Sequence, residues 1–572
     1  MRYLYTHAAT EAATGFYTCL PEPPLTLHDG LAYLSAHPLD DFMRRHLLQR
    51  LASLPGHEAA AALTRFADKP ACAFLARELG RIAPWIFDDL APELFPAPAE
   101  AETEATSLSL LAHARLPDGK THEAWNALYA GNIQGHTALS APEATGLPPL
   151  YGEPSASDLP CTGAPFTAGF PLNLAEIHAR HAALPKEAYT RPPAEETAAL
   201  AEDRLAEAGI LAGAEMRHTS SLSPVALLRP WHMSLRVHLG RHEYSLAGQG
   251  TTYGRGLSVD AARASCLMEM VERASAYLSV TEAGVENRRE PTPVVRARFS
   301  ELAAEGNTAL NPNDFPLEAP YADAPLYWMS GRAANGQNVF VPVQMAGLFC
   351  NLDEVRLFDT PGSTGLATGN TMEEAKVAAL LEIMERDAEA VTPFSKTNCF
   401  SLGAGDARVA ALLADYAARG INVQFQDLTG PSGLPVYQCF VMSPKGIPAR
   451  GYGAGLSGAK AVLSALTETP FPYPDGGFSG PLLRRLPQYM LEELPDYDLG
   501  SPVRNLRMLE ELLTVSGRMP VYADLTRVDL RFPVVRAFVP GLEQTADRDP
   551  LSRVPVRLHR NHQELFAPQR KK

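Results

Sequence analysis

The 572-residue chain has no apolar run approaching the ~20 residues that a membrane-spanning helix needs, so no membrane partner is expected. Its opening residues, MRYLYTHAATEAATG, lack the basic, apolar and small-residue order of a secretory signal, which makes the cytoplasm the expected location. The seven cysteines, Cys19, Cys72, Cys161, Cys266, Cys350, Cys399 and Cys439, are too widely spread for a zinc knuckle, an iron–sulfur run or a disulfide scaffold. Reduced, mostly buried thiols are expected. A phosphate-binding GxxxxGK[ST] loop is missing. Basic residues are in the minority, 50 against 65 acids, and the formal charge of −15 disfavours nucleic acid as a partner.

What is present is an ordinary globular composition, 46% hydrophobic and 20% charged, in a chain long enough for two or three domains. Residues 1–95 read as a helical N-terminal module, separate from the rest of the chain. DDFMRRHLLQRLASL and PACAFLARELGRIAPWIF place apolar residues at helical spacing with charge on the other face. Residues 96–190, rich in Pro, Gly, Ala and Thr, read as an irregular insert or linker. AEETAALAEDRLAEAGI then opens a third region, 191–560, with an amphipathic helix, and residues 561–572 read as a solvated tail.

That third region repeats itself. The segments YGRGLSVDAARASCLMEMVERASA from Tyr253, ATGNTMEEAKVAALLEIMERDAEA from Ala367 and YGAGLSGAKAVLSALTE from Tyr452 share a register. Superposing Glu269 on Glu382 aligns Ser258 with Thr371, Glu272 with Glu385 and Arg273 with Arg386. Superposing Glu269 on Glu468 aligns Tyr253 with Tyr452, Gly254 with Gly453 and Ser265 with Ser464. Each segment predicts a glycine turn, a Ser or Thr N-cap and a helix, the third cut short by Pro470. Ala261, Ser265, Glu269 and Glu272 form one stripe of the first helix, and Glu374, Ala378, Glu382 and Glu385 repeat it on the second.

Part of this has a purely structural explanation. Glu269 with Arg273 and Glu382 with Arg386 are i, i+4 pairs worth a few tenths of a kcal/mol, and Thr371-x-x-Glu374 is a capping box. The remaining positions, among them Leu267, Met270, Val271, Leu380, Ile383 and Met384, leave almost no polar surface outside the stripes, so these helices are expected to be buried nearly all round. Buried carboxylates that face one another persist only with compensating cations or donors. Oxygen-only ligands suit magnesium, which phosphate oxygens commonly complete, and a Mg-nucleotide site without a P-loop is the expectation.

From Arg191 to Glu543 the chain resembles the YcaO family. The resemblance rests on GRGLSVDAARASCLMEMVER, GNTMEEAKVAALLEIMERDA, GYGAGLS with SALTE, and DLTRVDLRFPVVRAFVPGLE, in that order. It implies an α+β fold in which repeated turn–helix units pack on sheets, with MSLRVHL, NVFVPVQM, LPVYQCFVM and FPVVRAFV as strands. It implies ATP and Mg as cofactors, with Glu269, Glu272, Glu382 and Glu385 holding metal and Ser265, Asn370, Glu374 and Arg386 binding ATP; no catalytic residue is assigned. The implied chemistry is phosphorylation of a peptide-bond oxygen after nucleophilic attack, on a peptide or protein substrate. A sulfur-donor or other partner protein and a homodimer are further expectations.

Two departures from the family pattern stand out. After ALTE, where a Gln and an Arg are common, the chain reads TPFPYPDGG; Arg450, Arg484 or Arg485 are candidate spatial stand-ins. Arg255 occupies a position where Lys is common, keeping charge but not geometry. The chain ends LFAPQRKK, without the proline-rich terminus of azoline-forming members, so thioamidation or an accessory role in sulfur insertion is the expected use. The rival readings are a YcaO-like scaffold that binds nucleotide or a partner protein without turnover, and a metal-dependent hydrolase.

Overall fold

The three repeated segments fold as three copies of one unit, a strand that passes through a glycine turn into a helix lying under it. In the computed structural model, which describes residues 1–8, 16–83, 118–151, 170–185, 187–349, 351–359, 362–544 and 552–567 together with 108, 110, 112, 116 and 548, the first unit is strand His242–Gly256 and helix Val259–Ala276. The second is Leu366–Thr368 with Met372–Val391, and the third is Pro448–Ala454 with Gly458–Glu468. Ser258 and Thr371 cap their helices by accepting from the Ala261 and Glu374 amides, whereas Ser457 makes no such bond. Thr469 and Pro470 end the third helix at 11 residues, against 18 and 20 for the others.

The turn glycines are required by close approach. A methyl group on Gly254 would lie 2.0 Å from the Ala262 carbonyl oxygen and 2.4 Å from the Cys266 nitrogen, and one on Gly453 would lie 2.2 Å from the Ala461 oxygen. These two strands therefore cross their own helices at backbone contact, where only hydrogen fits.

Among the described residues each unit belongs to a different sheet. The first sheet runs Phe16–Pro21, Arg2–Ala8, His242–Gly256, Val225–Leu239, Val280–Thr281, Gly284–Val285, with Met216–Arg217 beside Val225–Leu239. The second runs Asn338–Pro342, Leu326–Ala333, Val521–Asp524, Val534–Phe538, Leu366–Thr368, with Val294–Ala297 on Leu326–Ala333. The third runs Pro448–Ala454, Val436–Met442, Gln424–Asp427, Cys399–Gly403, Gln488–Met490. The helices interlock these sheets in a cycle. The first helix also packs on Leu366–Thr368 of the second sheet, the second helix on Pro448–Ala454 of the third, and the third helix on His242–Gly256 of the first.

The fold is α+β, and all four anticipated strand runs are strands, with NVFVP extended before VQM turns into the short helix Val343–Ala346. The N-terminal helices Asp41–Ala52 and Pro70–Ile82 lie where their periodicity puts them. They are not a separate module, however. Strand Arg2–Ala8 pairs in parallel with His242–Gly256, Tyr3 opposite Leu246, and Leu31, Leu47 and Leu75 share one core with Tyr244, Leu267 and Trp328. The inward alternation of Tyr3 and Tyr5 marks this strand.

Within the stretch read as irregular, the described part contains helices Gly119–Tyr129 and Leu174–Ala182. Trp125 and Tyr129 pack on Leu558 of helix Val556–Phe566, so residue 561, where a tail was placed, lies inside that helix. Cys161 and Cys350 lie outside the described residues; the other five cysteines are free and buried. No described helix is long and apolar enough to cross a membrane.

Gly254→Ala is expected to destabilise the protein by on the order of 3 kcal/mol, because the obstacle is backbone. Gly477→Ala, with nothing within 4 Å of its added methyl, is expected to stay within about 0.5 kcal/mol. Denaturant melts of the two variants measure the difference; equal stability would refute the close crossing.

Candidate functional site

The cyclic packing carries the acidic stripes to one place. Glu269 and Glu272 come from the first helix, Glu382, Glu385 and Glu389 from the second, and Glu468 is the last residue of the third. Arg273 lies 3.3 Å from Glu269 and 3.6 Å from Glu272. Arg386 lies 3.6 Å from Glu385 and 2.9 Å from Glu389, so the anticipated Glu382–Arg386 pair does not form; Glu389, one turn further on, takes the guanidinium. Two backbone amides fix the remaining geometry. Tyr253 N–H donates to Glu269 Oε2 at 3.2 Å, and Ala454 N–H, from the turn of the third unit, donates to Glu385 Oε2 at 2.8 Å.

Burial, with repulsion between neighbours, holds four of these acids, Glu272, Glu382, Glu385 and Glu468, above the ordinary carboxylate range. Burial pushes the Glu272 carboxyl up to about 8, Arg273 opposing and Glu382 and Glu269 adding to it. Glu382 is raised by burial despite Arg386, Arg273 and Arg536. Glu385 and Glu468 are both raised by burial, and the Glu468 charge adds to the rise at Glu385. Arg536 is lowered to about 10, also by burial, with Glu382 partly restoring it.

Several groups here lack partners. Among the described residues, Glu382 and Glu468 accept no hydrogen bond and form no ion pair within 4 Å. Arg536 Nε and Nη1 and Arg255 Nε are buried donors without acceptors, although the Arg536 Nη2 group donates to Gly362 O at 2.8 Å. Arg536 is among the charges that act on Glu272 and Glu382, and Arg255 is the leading cation acting on Glu468. Acids and guanidinium groups thus face one another without touching, which a buried site tolerates only when something else completes both sets.

The other anticipated site residues divide. Ser265 is exposed, one turn before Glu269. Asn370 and Glu374 sit at the start of the second helix, two turns before Glu382. The Thr371 hydroxyl accepts from the Glu374 amide at 3.2 Å, but the Glu374 carboxylate returns to Asn370 N–H at 2.9 Å, one residue short of a reciprocal capping box. The Tyr189 hydroxyl also donates to Glu374, Arg191 lies 3.3 Å from it, and Thr197 donates to Asn370 Oδ1 at 3.1 Å. The helices are also open on one side: Ser265 and Ala378 are exposed, whereas all-round burial was expected.

Of the proposed arginine stand-ins, Arg450 donates to Ile133 O and the Tyr452 hydroxyl, and Arg484 and Arg485 are exposed. Arg536 was missed although it is the one charge in the run VVRAFV. Glu468 was aligned with Glu269 by the repeat but left out of the metal set; the alignment itself was the signal.

Among the described residues no three of these acids converge as a ready-made metal shell. Magnesium does not require one: it keeps water and is held by one or two carboxylates plus substrate phosphates. Unpaired carboxylates beside orphaned guanidinium donors fit that division, acids for the cation and arginines for phosphate.

A family model described as YcaO cyclodehydratase, ATP- and Mg2+-binding, matches residues 253–470, which span all three repeat units. An uncharacterised protein from the tfuA 3′ region of Rhizobium leguminosarum bv. trifolii is 27% identical over 234 residues, 38% of this chain and 53% of that protein. The chain thus spans about half the length of that curated relative. Among solved structures, a heterocyclase in complex with substrate and cofactor has a TM-score of 0.49 at 17% identity, covering 67% of this chain and 58% of its own. The YcaO from Methanopyrus kandleri bound with AMPPCP and Mg2+ has 0.45 at 19% identity, covering 63% and 94%. Three of the four sequence motifs, and the carboxylates they contribute, fall inside the matched stretch: residues 253–470 carry a YcaO-type domain, of a family described as ATP- and Mg2+-binding.

Proposed function

We propose that this domain activates an amide carbonyl of a peptide or protein backbone by ATP-dependent O-phosphorylation, for thioamidation or sulfur insertion in preference to azoline formation. The observation that carries the reading is the set of unpaired carboxylates of Glu382 and Glu468 beside the orphaned donors of Arg255 and Arg536. Glu269, Glu272, Glu382 and Glu385 would hold magnesium, with Glu468 added to that set. Asn370 and Glu374 border the N-terminus of the second helix, where the helix dipole favours anions. Ser265, on the open side, and Arg386, beside Glu385 and Glu389, would be further nucleotide contacts. ATP with magnesium supplies the phosphoryl group that turns an amide oxygen into a leaving group. The protein's part is to position the reactants and to balance charge.

A scaffold that binds nucleotide without turnover is the second reading. It is favoured by the segment after Glu468: Phe471 is buried in the third core, and Pro470 and Pro472 occupy the place of the family's polar pair.

Glu382→Gln is expected to weaken Mg-ATP binding at least about tenfold by calorimetry, a loss of one charged contact, while Glu301→Gln, on an exposed helix, leaves it unchanged. Equal affinity in the two variants would sink the site assignment. Phosphate release that requires peptide and a sulfide donor, with oxygen exchanged for sulfur in the product's mass, is the result the thioamide reading expects. Loss of water instead would favour azoline formation, and binding without release would favour the scaffold.

Proton linkage gives an independent check. A carboxyl whose folded value is raised from 4.5 to about 8 carries an extra proton in the folded state between those limits, so ionising it costs stability. The protein without ligand should therefore lose stability as pH rises from about 4.5 to about 8. Magnesium favours the ionised form, so Mg-ATP binding at pH 7 should release protons, measurable as heats that differ between buffers. Glu272→Gln should reduce that release; an unchanged release would remove Glu272 from the site.

A further inference from the structure

A cavity lies away from the acidic cluster, at the opposite end of the third repeat helix. Its volume is about 530 Å³, the size of a small-ligand pocket. Pro495, in its wall, accepts from the Gly458 amide at the helix N-terminus, whereas Glu468 ends the same helix about 15 Å further on. The floor is part of the third sheet. Asp427 and Tyr437 are directly opposed on adjacent antiparallel strands, so their side chains share a face, and Tyr489 and Tyr497 close the sides.

The lining is unusual in what it leaves unpaired. The Tyr437, Tyr489 and Tyr497 hydroxyls make no hydrogen bond to the protein among the described residues and open on the cavity, Tyr437 from a side chain only 3% exposed and Tyr489 from one 43% exposed. The phenols of Tyr489 and Tyr497 and the Asp427 carboxylate are all close enough to act on Tyr437 electrostatically. Asp427 accepts the Thr429 amide at 2.8 Å through Oδ1, and no cation within 4 Å pairs with it or with Glu493, among the described residues. No Lys, Arg or His lines the cavity.

Anion binding is disfavoured on two counts. The two acids repel it, and the helix start at Asn173 has spent most of its amides: Leu174 N–H donates to Ser432 O at 2.8 Å, Asn173 N–H to Glu176 at 2.8 Å and Glu176 N–H to Asn173 Oδ1 at 3.0 Å, which leaves Ala175 N–H. A cation meets the opposite situation. Two carboxylates supply charge, and the oxygens of three phenols can accept hydrogen bonds.

We infer that this cavity binds an organic cation, a primary ammonium or a guanidinium group, held by Asp427, Glu493, Tyr437, Tyr489 and Tyr497. The cation is either a Lys or Arg side chain of a polypeptide or a free amine; the chemistry is common to both. The site does not depend on the nucleotide reading, since the groups that form it are separate from the acidic cluster.

The test uses the full chain, with agmatine and the peptide acetyl-Gly-Arg-Gly-amide as probes and the citrulline peptide as the uncharged control, by saturation-transfer NMR and calorimetry. Millimolar or tighter binding of at least one cationic probe and none of the citrulline peptide is expected. Asp427→Asn should weaken it at least about tenfold, the scale of a lost charged contact. The exposed Glu493→Gln should weaken it as well and cannot compromise folding through the core. Mg-ATP affinity should be unchanged in both variants. A peptide that binds more tightly than agmatine assigns the cation to a polypeptide, and the reverse order assigns it to a free amine. Failure of both cationic probes, equal binding of the citrulline peptide, or full affinity in Glu493→Gln with Asp427→Asn folded and unaffected would overturn the inference.

Discussion

The structure depends on one packing constraint: in the first and third repeat units a strand crosses its own helix at backbone contact, through a glycine. Gly254 and Gly453 hold the strand against the carbonyl oxygens of Ala262 and Ala461 with no room for a methyl group. That contact fixes where each helix starts relative to its sheet. Because each helix then packs on a strand of the next sheet, and the third returns to the first, the three units close a cycle. A closed cycle cannot slide one member without disturbing the other two. It is this rigidity that lets acids from three helices, and an amide from the turn of a neighbouring unit, meet at one place.

The meeting is electrostatically unfavourable for the protein alone. Glu272, Glu382, Glu385 and Glu468 are all raised by burial, and Arg273 and Arg386 offset only part of the repulsion. Two guanidinium groups in the same region keep unpaired donors. Such a cluster costs stability, and folds keep costly clusters where ligand binding recovers the loss. The hydrophobic cores of the three sheets, anchored by residues such as Trp328, Leu512 and Phe425, supply the stability against which that cost is set.

The repeat was legible in the sequence because its signals are local. A cap residue, a glycine and an i, i+3 acid pair each act within one or two turns, so Ser258, Thr371, Gly254 and the stripe Glu269–Glu272 announced themselves. What the sequence hid is non-local. Arg536 becomes a site residue only through strand pairing across the second sheet, and Tyr3 becomes core only because Arg2–Ala8 joins a strand more than two hundred residues away. Glu374 has two local explanations in the sequence, and the fold adds a third, Tyr189 and Arg191 from an element that no spacing connects to it. The helix at Val556–Phe566 was hidden for the same reason, since its apolar face is matched by Trp125 and Tyr129 from far upstream.

The most direct test of the account is a crystal structure of the full chain with Mg2+ and a non-hydrolysable ATP analogue. Magnesium coordinated by carboxylates among Glu269, Glu272, Glu382, Glu385 and Glu468, with phosphate oxygens within hydrogen-bond reach of Arg255 or Arg536, is the predicted result. Nucleotide bound elsewhere, or these acids left without metal at saturating ligand, would contradict it.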